Sequence, residues 1–113
     1  MLIDTKDYAA KLTAALGALG NTVPATLAGF EALDGAAARK GVLDAKTREL
    51  IALAVAVTTR CDGCITVHSA AAAKAGATKD EVAEALSVAM ALNAGAALVY
   101  SARAFDAFDQ QGG

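Results

Sequence analysis

An all-α domain is predicted, and three observations carry the prediction. Alanine, the strongest helix former, supplies about a quarter of the 113 residues, whereas aromatics make up 4 % and Pro24 is the only proline. Apolar residues recur at three- and four-residue spacing in several segments. Thr78-Lys-Asp-Glu81 matches a capping box, in which each side chain accepts a hydrogen bond from the other residue's backbone N–H at a helix start. Together they predict one domain over residues 1–113, a bundle of about five to six helices.

Asp4 or Thr5 can cap a first helix carrying Tyr8, Leu12 and Leu16 on one face, with Gly17 and Gly20-Asn21 expected to break it. Pro24 suits the first turn of a second helix, with Leu27, Phe30 and Leu33 on its apolar side and an end near Gly35 or Gly41. Asp44 is a good N-cap for a third. The apolar run Leu50 to Val57 that follows reads as a helix buried all round, central to the bundle, because charged helix formers lead into it. Glu49 stands where that run begins. Thr58-Thr59-Arg60 slow the helix, Asp62-Gly63 offers a cap and a turn, and a fourth helix is expected from beside Cys61 to Lys74, stopped by Gly76. The capping box opens a fifth with Val82, Leu86, Ala89 or Met90, and Asn93 in register. A bend or break is expected at Asn93-Ala-Gly95 before helical spacing resumes at Leu98, Val99, Ala102, Phe105 and Phe108.

The composition also bounds function. A net charge of −2 and a pI near 5.2 provide no electrostatic footprint for nucleic acid or an anionic membrane surface. The first residues carry acids where a signal peptide would be basic and then apolar, which predicts a cytoplasmic protein. The uncharged run 85–102 contains Ser87, Asn93 and Ser101 among alanines and glycine, so a helix packed in protein is expected there, not a membrane span. With 56 % hydrophobic residues and a mean hydropathy of +0.43, a domain this small lacks the polar residues to cover its surface, which predicts a homo-oligomer.

Both cysteines and the only histidine fall in one short stretch, Cys61-Asp-Gly-Cys64-Ile-Thr-Val-His68. At offsets 0, +3 and +7 the three side chains share one helical stripe. Three readings are open. A dithiol–disulfide couple would use Cys61 and Cys64, with His68 taking or stabilising a proton and a carboxylate orienting the imidazole. Zinc binding by two thiolates and His68 needs a fourth ligand such as Glu49, Asp62 or a residue of a neighbouring subunit. A non-catalytic interaction protein would keep the cysteines as small core hydrophobes. Haem attachment requires Cys-x-x-Cys-His and an iron–sulfur cluster four cysteines, and neither pattern is present.

The longer pattern Glu49-x11-Cys61-x-x-Cys64-x-x-x-His68, followed by Ala73, Ala75-Gly-Ala-Thr78 and Glu81-Val-Ala-Glu-Ala, resembles the AhpD-like branch of the carboxymuconolactone decarboxylase family over residues 22–108. The resemblance implies an all-helical fold, trimers or hexamers, no cofactor, and thiol-dependent alkylhydroperoxidase or disulfide reductase activity. In such proteins the second cysteine attacks, the first resolves, and the glutamate and histidine relay protons; carried over, Cys64 attacks, Cys61 resolves, and Glu49 and His68 move the proton. The partners implied are a peroxide or disulfide substrate and an external thiol reductant, and the resemblance allows a peroxiredoxin partner. Longer members that support a peroxiredoxin carry a histidine between the cysteines, where Gly63 stands here, so the chain looks like the short, single-motif kind. Decarboxylase members lack the cysteine pair.

Overall fold

The computed structural model describes residues 1–112, in which five helices follow one another: α1 (Thr5–Thr22), α2 (Pro24–Lys40), α3 (Ala45–Thr59), α4 (Asp62–Lys74) and α5 (Lys79–Asp109). No strand occurs among the described residues. The starts follow the caps. Asp4 accepts from the Asp7 N–H and Asp44 from the Thr47 N–H; Pro24 opens α2, and both halves of the Thr78–Glu81 capping box are made. Gly41, at φ 70°, ends α2 in the left-handed conformation that glycine adopts without a steric penalty.

Two expected interruptions are absent. α1 runs through Gly17 and Gly20, and Gly20 serves close packing: a Cβ there would collide with Leu27 Cδ2 of α2. α5 runs unbroken through Asn93-Ala-Gly95. Asn93 is held in place by Nδ2–H donations to the Ala89 carbonyl (2.7 Å) and to Thr58 Oγ1 of α3 (2.9 Å), which satisfy the side chain without breaking the ladder.

α3 is the central element, packed against α4 and α5, while α1 covers α4 and α2 is attached chiefly to α1. It is not buried all round, as the apolar run suggested. Leu53 and Ala56 are buried, whereas Ile51 and Val55 are 49 % and 55 % exposed. The reason is size: two neighbours cover at most two faces of a helix, and the core of one protomer amounts to Leu53, Ala56, Thr66, Ala72 and Ala89. The radius of gyration is 18.4 Å, against about 13 Å for a compact domain of this length. α5 accounts for much of the excess. Its 31 residues span about 46 Å, roughly twice the length of α3, so its C-terminal half projects past the bundle. It is also the one helix among the described residues long and apolar enough to cross a membrane, and almost none of its apolar stretch is buried in the protomer.

Candidate functional site

The α3–α4 corner builds the site. Thr58 and Thr59 turn their hydroxyls back to the Ala54 and Val55 carbonyls, closing the last turn of α3. Arg60 then adopts φ 54°, a left-handed conformation that disfavours a branched Cβ, and the N–H groups of Arg60 and Cys61 both return to the Ala56 carbonyl. Cys61, rather than Asp62, becomes the N-cap of α4. Its Sγ accepts from the Cys64 N–H at 3.2 Å.

This cap divides the two thiols electrostatically. The Cys64 thiol, then the Cys64 and Gly63 backbone N–H groups, hydrogen-bond the Cys61 sulfur and hold its pKa below the ordinary thiol value. Cys64 is pushed up, first by donating to Cys61, then by burial and by the negative charges of Cys61 and Asp34. The cap thus favours the thiolate on Cys61 and the thiol on Cys64. Gly63 faces α1: a Cβ would come within 3.0 Å of Leu12 Cδ2, so a larger side chain between the cysteines must displace Leu12.

Helix α4 carries His68 one turn beyond Cys64, on the face that packs against α3. There His68 Nδ1 meets Glu49 Oε2 at 2.6 Å, with both side chains about three-quarters covered. An ionised carboxylate only accepts, so Nδ1 carries the proton of the pair and Nε2 is the basic nitrogen of the neutral ring. The structure thus joins two of the four expected residues through their side chains and the other two through the cap; no hydrogen bond links Cys64 to His68. Among the described residues, no three His, Cys, Asp or Glu side chains are arranged to hold a metal ion.

A cavity of ≈ 400 Å³ opens beside this pair, between α2 and α3. Glu49 and His68 form one wall with Ile51 and Ala52, and Asp34, Ala37 and Ala38 of α2 form the other, with Arg48 and Leu43 at the margin. Asp34 and Arg48 had no sign in the sequence as site residues. They belong to helices with little mutual packing, and neither lies within a motif.

Residues 24–107 match the carboxymuconolactone decarboxylase family model. The chain is 54 % identical over 111 residues to an uncharacterised protein of Haemophilus influenzae, with 98 % of each covered. It is also 37 % identical to uncharacterised protein 4 in the cox locus of Paracoccus denitrificans, covering 88 % of this chain and 90 % of that one. A crystal structure of an apo carboxymuconolactone decarboxylase family protein from Legionella pneumophila aligns with a TM-score of 0.74 at 38 % identity, over 94 % of this chain and 95 % of that one.

Proposed function

The chain belongs to the carboxymuconolactone decarboxylase family, and from that premise we propose that it is a thiol-dependent peroxidase or disulfide reductase of the alkylhydroperoxidase kind. The observation that carries the reading is the 2.6 Å contact between Glu49 and His68, set one turn from a Cys-x-x-Cys pair that caps its own helix. A raised thiol pKa makes Cys64 a poor nucleophile unless a base removes its proton, and His68 Nε2, its ring oriented by Glu49, supplies one.

The steps balance as follows. His68 takes the Cys64 proton; the thiolate attacks the terminal oxygen of a hydroperoxide, the O–O bond breaks, and the leaving alkoxide takes the proton back from the imidazolium. Cys64 is now a sulfenic acid and the substrate an alcohol. Cys61, ionised at the cap, attacks the Cys64 sulfur, and hydroxide leaves as water with a proton from solvent. The Cys61–Cys64 disulfide is returned to two thiols by an external dithiol, which becomes the disulfide. Run against a partner disulfide, the same couple acts as a reductase. A dithiol that must be recharged suits the reducing cytoplasm.

The active assembly in this reading is a homo-trimer or homo-hexamer. The protomer exposes 8574 Å², whereas a compact monomer of 11.2 kDa exposes about 5,700 Å². An excess of about 2,900 Å² falls in the range of obligate subunit interfaces. Copies of the chain, not lipid, cover α5 in this reading, since its apolar stretch carries Asn93, paired to Thr58 of α3.

The test is hydroperoxide-dependent thiol oxidation by the purified protein, wild type against Cys64→Ser and Cys61→Ser. Expected are no turnover in the first and a sulfenic acid trapped without turnover in the second. Hydroperoxide consumption by Cys64→Ser at the wild-type rate would overturn the mechanism.

A further inference from the structure

Two apolar faces of α5 lack cover within the protomer, and they differ in shape. One is a wall of a groove of ≈ 420 Å³ between α3 and α5. Ile51 and Val55 of α3 and Val88 and Leu92 of α5 are its large side chains, all exposed, and the rest of the lining is alanine apart from Thr58 and Asn93. Those two polar side chains bond each other at 2.9 Å, so the groove offers an entering body apolar surface above all. The second face is a ridge on the half of α5 that projects past the bundle. Leu98, Ala102 and Phe105 recur there at four and three residues, with Leu98 and Phe105 exposed. At about 100° per residue, the centre of the ridge lies roughly 145° around the helix from that of the α5 residues lining the groove. The two faces point apart, and one flat contact cannot cover both.

We infer that the α3–α5 groove of one copy receives the Leu98–Phe105 ridge of the next copy's α5, a head-to-tail contact that closes into a ring of three. The inference rests on the homo-oligomeric reading above and is independent of the thiol chemistry. Area decides against a two-fold pair. The protomer exposes 8574 Å², about 2,900 Å² more than a compact chain of its mass. A standard contact covers about 800 Å² on each partner, so a pair joined through one face accounts for under a third of that excess. Because the faces point apart, one two-fold axis cannot seat both. A head-to-tail contact uses the groove and the ridge of every copy, covers over half of the excess at the same size, and forms a ring where its rotation closes. Shape agrees, since a groove with alanines among its large side chains accepts a ridge led by a leucine and a phenylalanine. Asp106 and Asp109, beside Phe105 and Phe108, set this half of α5 against an anionic lipid surface.

The test begins with the wild-type chain, which needs no variant to fold. Light scattering at micromolar concentration should give three or six times 11.2 kDa, and twice that mass overturns the ring. Leu92→Cys and Phe105→Cys are then placed, singly and together, in a chain carrying Cys61→Ser and Cys64→Ser, and oxidised with copper phenanthroline. Expected on a non-reducing gel are covalent species of two and three copies from the combined variant and only single chains from either substitution alone. A single variant that links to itself, or a combined ladder that stops at two, overturns the inference. Mixing supplies an independent reading. Leu92→Asp and Phe105→Asp should each be monomeric, and their mixture should form dimers, because one intact groove then meets one intact ridge; a mixture that stays monomeric overturns the contact. A wild-type monomer sinks both this contact and the oligomeric reading, and flotation of that monomer with phosphatidylcholine vesicles would assign the faces to lipid. A wild-type oligomer whose combined cysteine variant forms no link sinks the contact alone.

Discussion

At the α3–α4 corner the functional side chains find their partners inside one protomer: Glu49 holds His68 at 2.6 Å, and Cys61 takes the Cys64 N–H at 3.2 Å. Along the second half of α5 they find none. Leu98, Val99, Tyr100, Phe105 and Phe108 are between 63 % and 75 % exposed, although they are the large apolar side chains of that half. The difference follows from sequence distance. Glu49 and His68 are 19 residues apart and joined by a two-residue corner, so one helix hairpin brings them together. α5 is longer than any helix it packs against, and its apolar surplus is left uncovered within the chain. Chemistry is local in this chain, and packing is not.

The largest effect expected isolates the corner. His68→Ala should slow hydroperoxide reduction by about 10²- to 10⁴-fold, the usual contribution of a positioned base. Glu49→Gln, which keeps the shape but removes the charge that orients the ring, should slow it by less. Neither should change the mass measured by light scattering; a smaller particle would mean that the corner and the assembly are one system. The converse change, Leu98→Asp with Phe105→Asp, should split the assembly, since each buried apolar side chain of this size contributes about 1.5–3 kcal/mol. Light scattering at micromolar concentration reads the result, and an unchanged mass would remove α5 from the interface.

Next in size is the ordering of the two thiols. In Cys64→Ser, iodoacetamide should react with Cys61 with a midpoint below the ordinary thiol range, because the backbone N–H of residue 64 still donates to its sulfur. In Cys61→Ser, the midpoint of Cys64 should fall relative to wild type, because its largest upward influence has been removed. If Cys64 ionised first in the intact pair, the cap would not control the couple.

The smallest effects concern the start of α5. Thr78→Ala should cost about 1 kcal/mol in urea unfolding, the usual loss of an N-cap side chain. Glu81 accepts from Lys46 and from the Thr78 N–H, and its pKa is lowered from 4.5 to about 2, first by the Lys46 hydrogen bond. A depressed carboxylate pKa contributes stability that is complete above the unfolded value, near 4.5, and is lost as pH falls through the folded value, near 2. Glu81→Gln should therefore flatten the acid side of the stability profile below pH 4.5, modestly, because the pair is exposed to solvent. A slope unchanged by that substitution would assign the acid sensitivity elsewhere.

Sequence alone determined an all-helical chain and the starts of α1, α2, α3 and α5. Caps, Pro24 and the Thr78–Glu81 box act within three or four residues, and their signals are complete where they stand. It also placed Glu49, Cys61, Cys64 and His68 in one pattern, because a two-helix hairpin keeps its residues in a fixed spacing. Only the tertiary structure decided that Gly20 is a packing site and not a breaker, since that depends on Leu27 of the next helix. It alone decided that Asn93 can sit inside a continuous helix, bonded to Thr58, and that Cys61 rather than Asp62 caps α4. The same holds for Asp34, which meets the Glu49–His68 pair across a cleft between α2 and α3 that no local pattern connects. Short-range hydrogen bonding and helical period can be read along a chain; which faces meet depends on the packing of whole helices, and in this protein one of those faces is still open.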